Sequence, residues 1–248
     1  MPEEKWNSYI CNVNDKLASV FLDLALATAA PLKEKPWLLW VWIYMKEPRQ
    51  DGLSSQAEFE ALCKMEDVLE IELTPLRVML AGRITTQGRR EFYFYGPGKD
   101  GFEPAVRAAL SHFKAYKFDT GSQLDQGWRQ YFDVLFPSEH DYERMKNRTV
   151  LDVLHKHGDK HEAVREVHHW LYFPTAHQRK NFLDSVLAFG YKVEETSENS
   201  FAGNEYGVEL SKEQDVNQPS IDDTTIELSR LAKQFGGEYD GWETQVVD

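Results

Sequence analysis

Short apolar runs of strand length alternate along this chain with longer stretches whose apolar residues recur at helical spacing. Ala18–Leu24 and Trp37–Met45 are predicted strands, rich in β-branched and aromatic residues and bounded by the turn Pro31-Leu32-Lys33-Glu34-Lys35-Pro36. Trp37–Met45 is apolar nearly throughout, as expected of a central strand covered on both faces or meeting another domain. Asp51-Gly52-Leu53-Ser54 announces a helix, with Ser54 or Ser55 as N-cap and Glu58 near N3. Phe59, Leu62, Cys63, Val68, Leu69 and Leu73 keep its spacing. Arg77–Ile84 and Arg89–Tyr95 are two strands joined by a hairpin turn at Thr85-Thr86-Gln87-Gly88. A second helix carries Phe102, Val106, Ala109, Leu110 and Phe113, and a short strand, Tyr116–Asp119, follows. The predicted order is β-β-α-β-β-α-β. Gln123–Pro137, with Trp128, Tyr131, Phe132, Leu135 and Phe136, reads as a helical or turn-rich connector whose aromatics cover a sheet or an interface.

Pro137-Ser138 marks a boundary that divides the chain into residues 1–138 and 139–248. A helix is predicted from Glu139 to His157, ended by Gly158-Asp159. Val167–Phe173 is a strand, and Pro174-Thr175 opens a helix bearing Phe182, Val186 and Leu187 that stops at Gly190. Tyr191–Thr196 and Tyr206–Leu210 form a hairpin across a polar loop. Ile221-Asp222-Asp223 starts a last helix, stopped by Gly236-Gly237, and Tyr239–Val246 is the closing strand. This β-α-β-β-α-β order is that of a ferredoxin-like sandwich, helices on one face of an antiparallel sheet. The fold class expected is α+β: two tandem domains, the second ferredoxin-like and the first a related antiparallel sheet with helices. An internal echo runs from Glu91–Phe94 through Ala109–Phe113 to Tyr116–Phe118, against Glu166–Phe173, Val186–Phe189 and Tyr191–Val193. Tandem related halves and convergent patterning both account for it.

Composition adds a sign to this picture. The 248 residues are 42% hydrophobic and 13% aromatic, well within the globular range, and carry a formal charge of −13. Residues 151–248 hold 9 Lys+Arg against 19 Asp+Glu, a net of −10, and residues 1–150 hold the remaining 19 against 22, a net of −3. General nucleic-acid affinity is thereby disfavoured, and an electrostatically chosen partner of the second half should be a basic protein segment. Cys11 and Cys63 make no disulfide framework and no CxxC or zinc pattern. The opening Met1-Pro2-Glu3-Glu4-Lys5-Trp6 lacks the apolar core of a signal peptide, and Trp37–Met45 is about half the ~20 residues of a membrane span. A cytoplasmic protein without a membrane partner is expected.

Few residues suggest chemistry. His155, His157, His161, His168, His169 and His177 crowd one span, but three sit at a helix end and His168 and His169 point to opposite faces of a strand. Their spacing follows no metal motif. The loop Tyr95–Gly101 lacks the Gly-Lys-Ser/Thr ending of a phosphate cradle, and Pro97 removes an amide donor. Arg83, Arg89 and Arg90 flank a hairpin, where they can meet RNA, an acidic partner or the chain's own carboxylates. Asp222-Asp223 fits a helix start, and Glu194 and Glu195, adjacent in a strand, are expected to face opposite ways. No fingerprint of a hydrolase, metalloprotease or nucleotide-binding enzyme occurs, so no catalytic residue, metal ligand or cofactor is assigned. The terminal run Tyr239, Asp240, Trp242 and Glu243 has two readings: aromatics in the core beside a Gly241 bulge, or an exposed acidic-aromatic strand for an arginine-bearing peptide.

Val167-His168-His169-Trp170-Leu171-Tyr172-Phe173, Phe189-Gly190-Tyr191-Lys192-Val193 and Tyr239-Asp240-Gly241-Trp242-Glu243-Thr244 resemble the regulator of ribonuclease E activity B (RraB) family of bacterial proteins, over roughly residues 148–245. The resemblance implies a ferredoxin-like fold and a non-catalytic role, binding and restraining a ribonuclease. It makes Asp240, Trp242, Glu243 and Tyr239 the candidate partner-binding residues. Leu38-Leu39-Trp40-Val41, Pro48–Leu53, Gly82-Arg83 and Glu91–Tyr95 resemble the family DUF695 over about residues 6–137, which implies no activity. The stand-alone inhibitors carry an acidic N-terminal helix where this chain has Glu139–His157. The leading expectation is a protein-binding regulator, not an enzyme. Its alternatives are a metal-binding protein or enzyme using the His155–His177 span and an interdomain cleft, and a structural adaptor.

Overall fold

The first strand is one that the hydrophobic pattern does not announce. β1 (Trp6–Val13) pairs with β2 (Lys16–Asp23) across the two-residue loop Asn14-Asp15, whose φ values of 51° and 59° suit a tight hairpin turn. Asn7, Ser8 and Asn12 dilute its apolar pattern because β1 lies at a sheet edge and is only partly buried. The first part of the chain therefore has one strand more than its sequence suggests. The structure is a computed structural model describing residues 3–198 and 205–247. It is a mixed α/β chain with two antiparallel sheets, forming two compact units, Met1–Asp141 and Tyr142–Asp248.

In the first unit β3 (Trp37–Tyr44), α1 (Gln56–Leu73), β4 (Met79–Thr86), β5 (Arg89–Gly96), α2 (Phe102–Ala109) and β6 (Lys117–Leu124) follow the opening hairpin. The sheet order is β1-β2-β4-β5-β3-β6. β6 runs five residues past the expected end at Asp119 and takes Gln123 and Leu124 from the connector. Leu39, Val41 and Ile43 of β3 and Phe92 and Phe94 of β5 are buried against Leu62, Met65, Leu69 and Leu73 of α1 and Phe102 and Val106 of α2. Each such fully buried side chain contributes about 1.5–3 kcal/mol. Ser55 caps α1 as expected, accepting from the Glu58 amide. Phe59, assigned to the apolar stripe, is half-exposed instead; Glu58 is the buried neighbour, its Oε1 accepting from the Lys46 and Glu47 amides.

Trp40, Trp42 and Tyr44 point to the other side of β3 and are only partly buried. The connector packs on that side of the sheet: Trp128 stacks on Tyr95 with centroids 3.8 Å apart, and Tyr9 and Tyr131 donate to the carbonyls of Leu135 and Asp23. Its aromatics thus cover a sheet, as their density suggests.

α3 (Glu139–Lys156) begins at the unit boundary, and all but its first three residues belong to the second unit with β7 (Arg165–Phe173), α4 (Ala176–Val186), β8 (Lys192–Ser197), β9 (Tyr206–Gln214), α5 (Gln218–Gln234) and β10 (Glu238–Thr244). The sheet order is β10-β7-β9-β8, antiparallel throughout. Residues 199–204 of the polar loop expected between β8 and β9 lie outside the described residues. α5 starts three residues before Ile221: Asn217 caps it by accepting from the Ser220 amide, with Pro219 in the first turn. Asp222 and Asp223 therefore sit inside the helix and do not open it. Leu171, Phe173, Val208, Leu210 and Tyr239 of the sheet meet Phe182 and Val186 of α4 and Leu228 and Ala232 of α5. Leu151 and Leu154 of α3 extend this core over Val167, Ile221 and Trp242.

The two sheets share a plan. Numbered within β3-α1-β4-β5-α2-β6, the first sheet reads fourth-first-third-second, with the β1-β2 hairpin added beside β4; the second unit reads the same. The echo seen in the sequence aligned β5-α2-β6 with β7-α4-β8. By strand order the counterparts of β7, α4 and β8 are β3, α1 and β4.

Candidate functional site

β7 separates two environments residue by residue. Val167, His169, Leu171 and Phe173 are fully buried toward the helices, whereas Glu166, His168, Trp170 and Tyr172 alternate with them onto the opposite face. Strand register extends that face. β10 brings Glu238, Gly241 and Glu243 opposite Tyr172, Trp170 and His168, and β9 brings Gly207, Glu209, Ser211 and Glu213. β8 adds Lys192, Glu195 and Ser197. A register shift between Val193 and Glu195 also turns Glu194 to this side, where its carboxylate accepts from the Ser211 hydroxyl. The expectation that Glu194 and Glu195 face opposite ways is therefore corrected: the bulge breaks the alternation.

Among the described residues the result is a sheet face that the second unit's own helices leave uncovered, with seven glutamates, two aromatic rings and little positive charge. His168 sits among them, Nδ1 2.7 Å from Glu209 and Nε2 3.6 Å from Glu166, its ring stacked on Trp170 at 6.3 Å. Between β7 and β8, over β9, lies a hollow of about 130 Å³ lined by Trp170, Tyr172, Glu195, Ser197, Gly207 and Glu209. Arg179 of α4 donates from Nη1 to the carbonyls of Ser197 and Gly207, at 3.0 and 2.9 Å. Burial first, and the charge of Asp240 second, hold the Tyr172 phenol above its ordinary range.

The four candidate residues of β10 separate by environment. A second register shift, between Tyr239 and Gly241, lets both Tyr239 and Trp242 turn toward the helices although they are three apart. Tyr239 is held with its hydroxyl 3.0 Å from Nδ1 of His169, and Trp242 donates to Asn147. Asp240 and Glu243 remain exposed. Strand β10 thus supplies acid to the surface and aromatics to the core. None of His168, Trp170, Tyr172, Glu195 and Glu209 was assigned to the binding site from the sequence, although His168 stood in the histidine span, Glu195 in an acidic pair, and His168, Trp170 and Tyr172 in the motif that carries the family resemblance. The signal for three of them was the two-residue period of β7, whose polar positions are aromatic or ionisable.

The histidine span disperses. His157 donates from Nδ1 to the Val153 carbonyl, the rings of His155 and His161 meet edge-on at 6.1 Å, and His177 is exposed beside Asn181. His169 is fully buried, and desolvation pushes its pKa down to about 3. Among the described residues no group of three or more His, Cys, Asp or Glu side chains is arranged to hold a metal ion. Arg83 and Arg90 both face Glu66 beneath α1, and Arg89 pairs with Glu91, so this basic group meets the chain's own carboxylates. Gly101, with φ 79°, caps α2 after the Tyr95–Gly101 turn. A larger cavity of about 570 Å³ in the first unit is walled by Trp6, Phe21, Glu66 and Glu70. Arg83 lies over the Phe21 ring at 4.2 Å and pairs with Glu66, so a cation of the chain itself serves those groups. No helix among the described residues is long and apolar enough to cross a membrane.

Comparison with known proteins divides at the same place as the structure. The profile of a family of unknown function (DUF695) matches residues 4–136, and that of regulator of ribonuclease activity B matches residues 144–244. No curated protein matches significantly. Among solved structures, an unknown protein from Galdieria sulphuraria aligns at 12% identity and a TM-score of 0.25, covering 84% of this chain and 97% of that one. A putative glycine cleavage system transcriptional repressor aligns at 9% identity and a TM-score of 0.23, covering 84% and 98%. A protein from Bacteroides thetaiotaomicron aligns at 11% identity and a TM-score of 0.18, covering 84% and 92%. Overlays this loose carry no argument about fold or function.

Proposed function

The chain belongs to the DUF695 family of unknown function, and from that premise and the match of its second unit to regulator of ribonuclease activity B we propose a non-catalytic regulator that binds a basic segment of a protein partner. On this reading each unit is a ferredoxin-like sandwich and the protein works in the cytoplasm. The partner is an RNA-degrading enzyme, and regulation follows from occupying a basic segment that the enzyme needs for its substrate or its assembly. One observation supports this most directly: the face of the second sheet that its own helices leave uncovered presents glutamates on all four strands around Trp170 and Tyr172. Such a face repels nucleic-acid phosphates and attracts arginine and lysine. Asp240 and Glu243 lie on its β10 border and belong to the same surface, while Tyr239 and Trp242 hold β10 in place from beneath.

The test uses a purified endoribonuclease carrying a basic non-catalytic segment. The protein should form a salt-sensitive complex with it and slow its cleavage of RNA, and deleting the basic segment should abolish both effects. Binding that is insensitive to salt, or that survives the deletion, would remove this reading.

A further inference from the structure

We propose that the hollow between Trp170, Tyr172, Glu195 and Glu209 is an anchor for a single arginine side chain of the partner and selects arginine over lysine. This deepens, and rests on, the basic-segment reading above. The first support is a like-charge pairing that is relieved on one side only. Glu195 and Glu209 are directly opposed across the β8–β9 pair and on the same face, where side chains start about 5 Å apart and like charges destabilise the sheet. His168 reaches Glu209 from the β7 side, but among the described residues Glu195 forms no ion pair. A cation lodged between the two carboxylates offsets the repulsion that the register imposes.

Shape narrows the cation to one kind. The hollow holds about 130 Å³, enough for the end of one side chain and too small for a folded element. Two of its walls are the rings of Trp170 and Tyr172, and planar guanidinium groups stack on such rings. Its floor depends on Gly207: a Cβ there would meet Ser197 Oγ at 2.5 Å and a ring carbon of Tyr172 at 3.0 Å, so any side chain would fill the space. The walls are also held in advance. Arg179 ties the carbonyls of Ser197 and Gly207 together from the helix side, which lowers the ordering a ligand must impose. A guanidinium can bond two carboxylates through separate N–H groups while its plane lies against a ring, whereas an ammonium is a compact point charge.

The experiment uses the full chain and two fluorescent peptides of equal charge: a glycine- and serine-spaced peptide with four lysines and one central arginine, and its twin with lysine at the centre. At fixed ionic strength the arginine peptide should bind about tenfold more tightly by anisotropy. E195Q and E209Q, which keep side-chain volume, should each bring the two peptides to within about twofold of one another. E213Q removes a glutamate of the same face outside the hollow; it should weaken both peptides equally and preserve the preference. Equal affinity of the wild-type chain for the two peptides overturns the anchor while leaving the basic-segment reading standing. So does a preference that survives E195Q and E209Q. If neither peptide binds even at low salt, the basic-segment reading falls and the anchor with it.

Discussion

Nε1 of Trp242 donates a 2.9 Å hydrogen bond to Oδ1 of Asn147, joining the last strand to a helix 95 residues earlier. Asn147, nearly inaccessible to solvent, uses its amide nitrogen to reach Asp222 Oδ1 at 2.8 Å and Thr225 Oγ1 at 2.7 Å. One side chain thus ties α3, α5 and β10 together. N147A would leave three buried polar groups short of a partner, at about 1–3 kcal/mol each before relaxation. W242A should destabilise by about 3–5 kcal/mol through lost packing as well. Urea unfolding of N147A, W242F and the double variant should show strong coupling; additive losses would mean that the bond contributes little.

His169 should make the second unit acid-sensitive. Its folded pKa is about 3 against an ordinary 6.5, so between those values the unfolded chain binds a proton that the folded chain refuses. The stability due to keeping this ring neutral is therefore complete above pH 6.5 and is lost as pH falls toward 3, with a slope of up to about 1.4 kcal/mol per pH unit. Asp159, held low chiefly by its hydrogen bond from Arg165, adds a loss of the same sign below its ordinary 3.8. H169Q should flatten the decline of the urea midpoint between pH 7 and 4.5. An unchanged decline would assign the acid sensitivity to other groups.

Charge reversal on the β10 border should act on encounter and leave the fold intact. Asp240 and Glu243 are exposed, so D240K with E243K should leave the melting temperature within a few degrees and slow association with a basic partner severalfold. The difference should shrink with added salt, as screening cuts the reach of the field to about 8 Å at physiological ionic strength. Stopped-flow association rates at two salt concentrations decide the matter; equal rates for both proteins would move the interface away from β10.

Residues 138–248 should fold when produced alone, since the second unit holds its own core. Ser138 matters to this fragment. Its hydroxyl accepts from the Asp141 amide and donates to the Asp141 carboxylate, closing the start of α3. A fragment starting at Glu139 should be less stable by about 1 kcal/mol. Circular dichroism melts of the two fragments measure this, and an unfolded 138–248 fragment would mean that the units depend on one another for stability.

What the sequence disclosed depended on whether local pattern matched local environment. β7 was legible because a strand with one face in the core and one outside writes its period directly. The β-α-β-β-α-β order followed from the same logic, aided by Thr175 and Gly190 at the ends of α4 and its short extension. β1 was hidden because an edge strand with two asparagines and a serine has no strong period, although Asn14-Asp15 marks its turn. The face of acids was hidden for another reason. It is assembled across strands by register, and the bulges at Glu194 and Asp240 each reverse the side on which later residues lie. Counting by twos through an unseen bulge gives the wrong face, which is why Tyr239 and Trp242 could be drawn with either surface or core.

The same bulge in β8 also marks an edge of the second sheet. Among the described residues β8 is an outer strand with no partner strand on one side, and such a row of backbone amides and carbonyls can recruit an identical strand from a second molecule. Glu194 and Glu195, kinked at that rim, bring clustered negative charge to any would-be mate, and the kink spoils the straight ladder that stacking requires. Replacing both with valine would leave a run of β-branched residues from Val193 to Thr196 on an unguarded rim. That protein would keep its fold as a single molecule and lose its solubility in company.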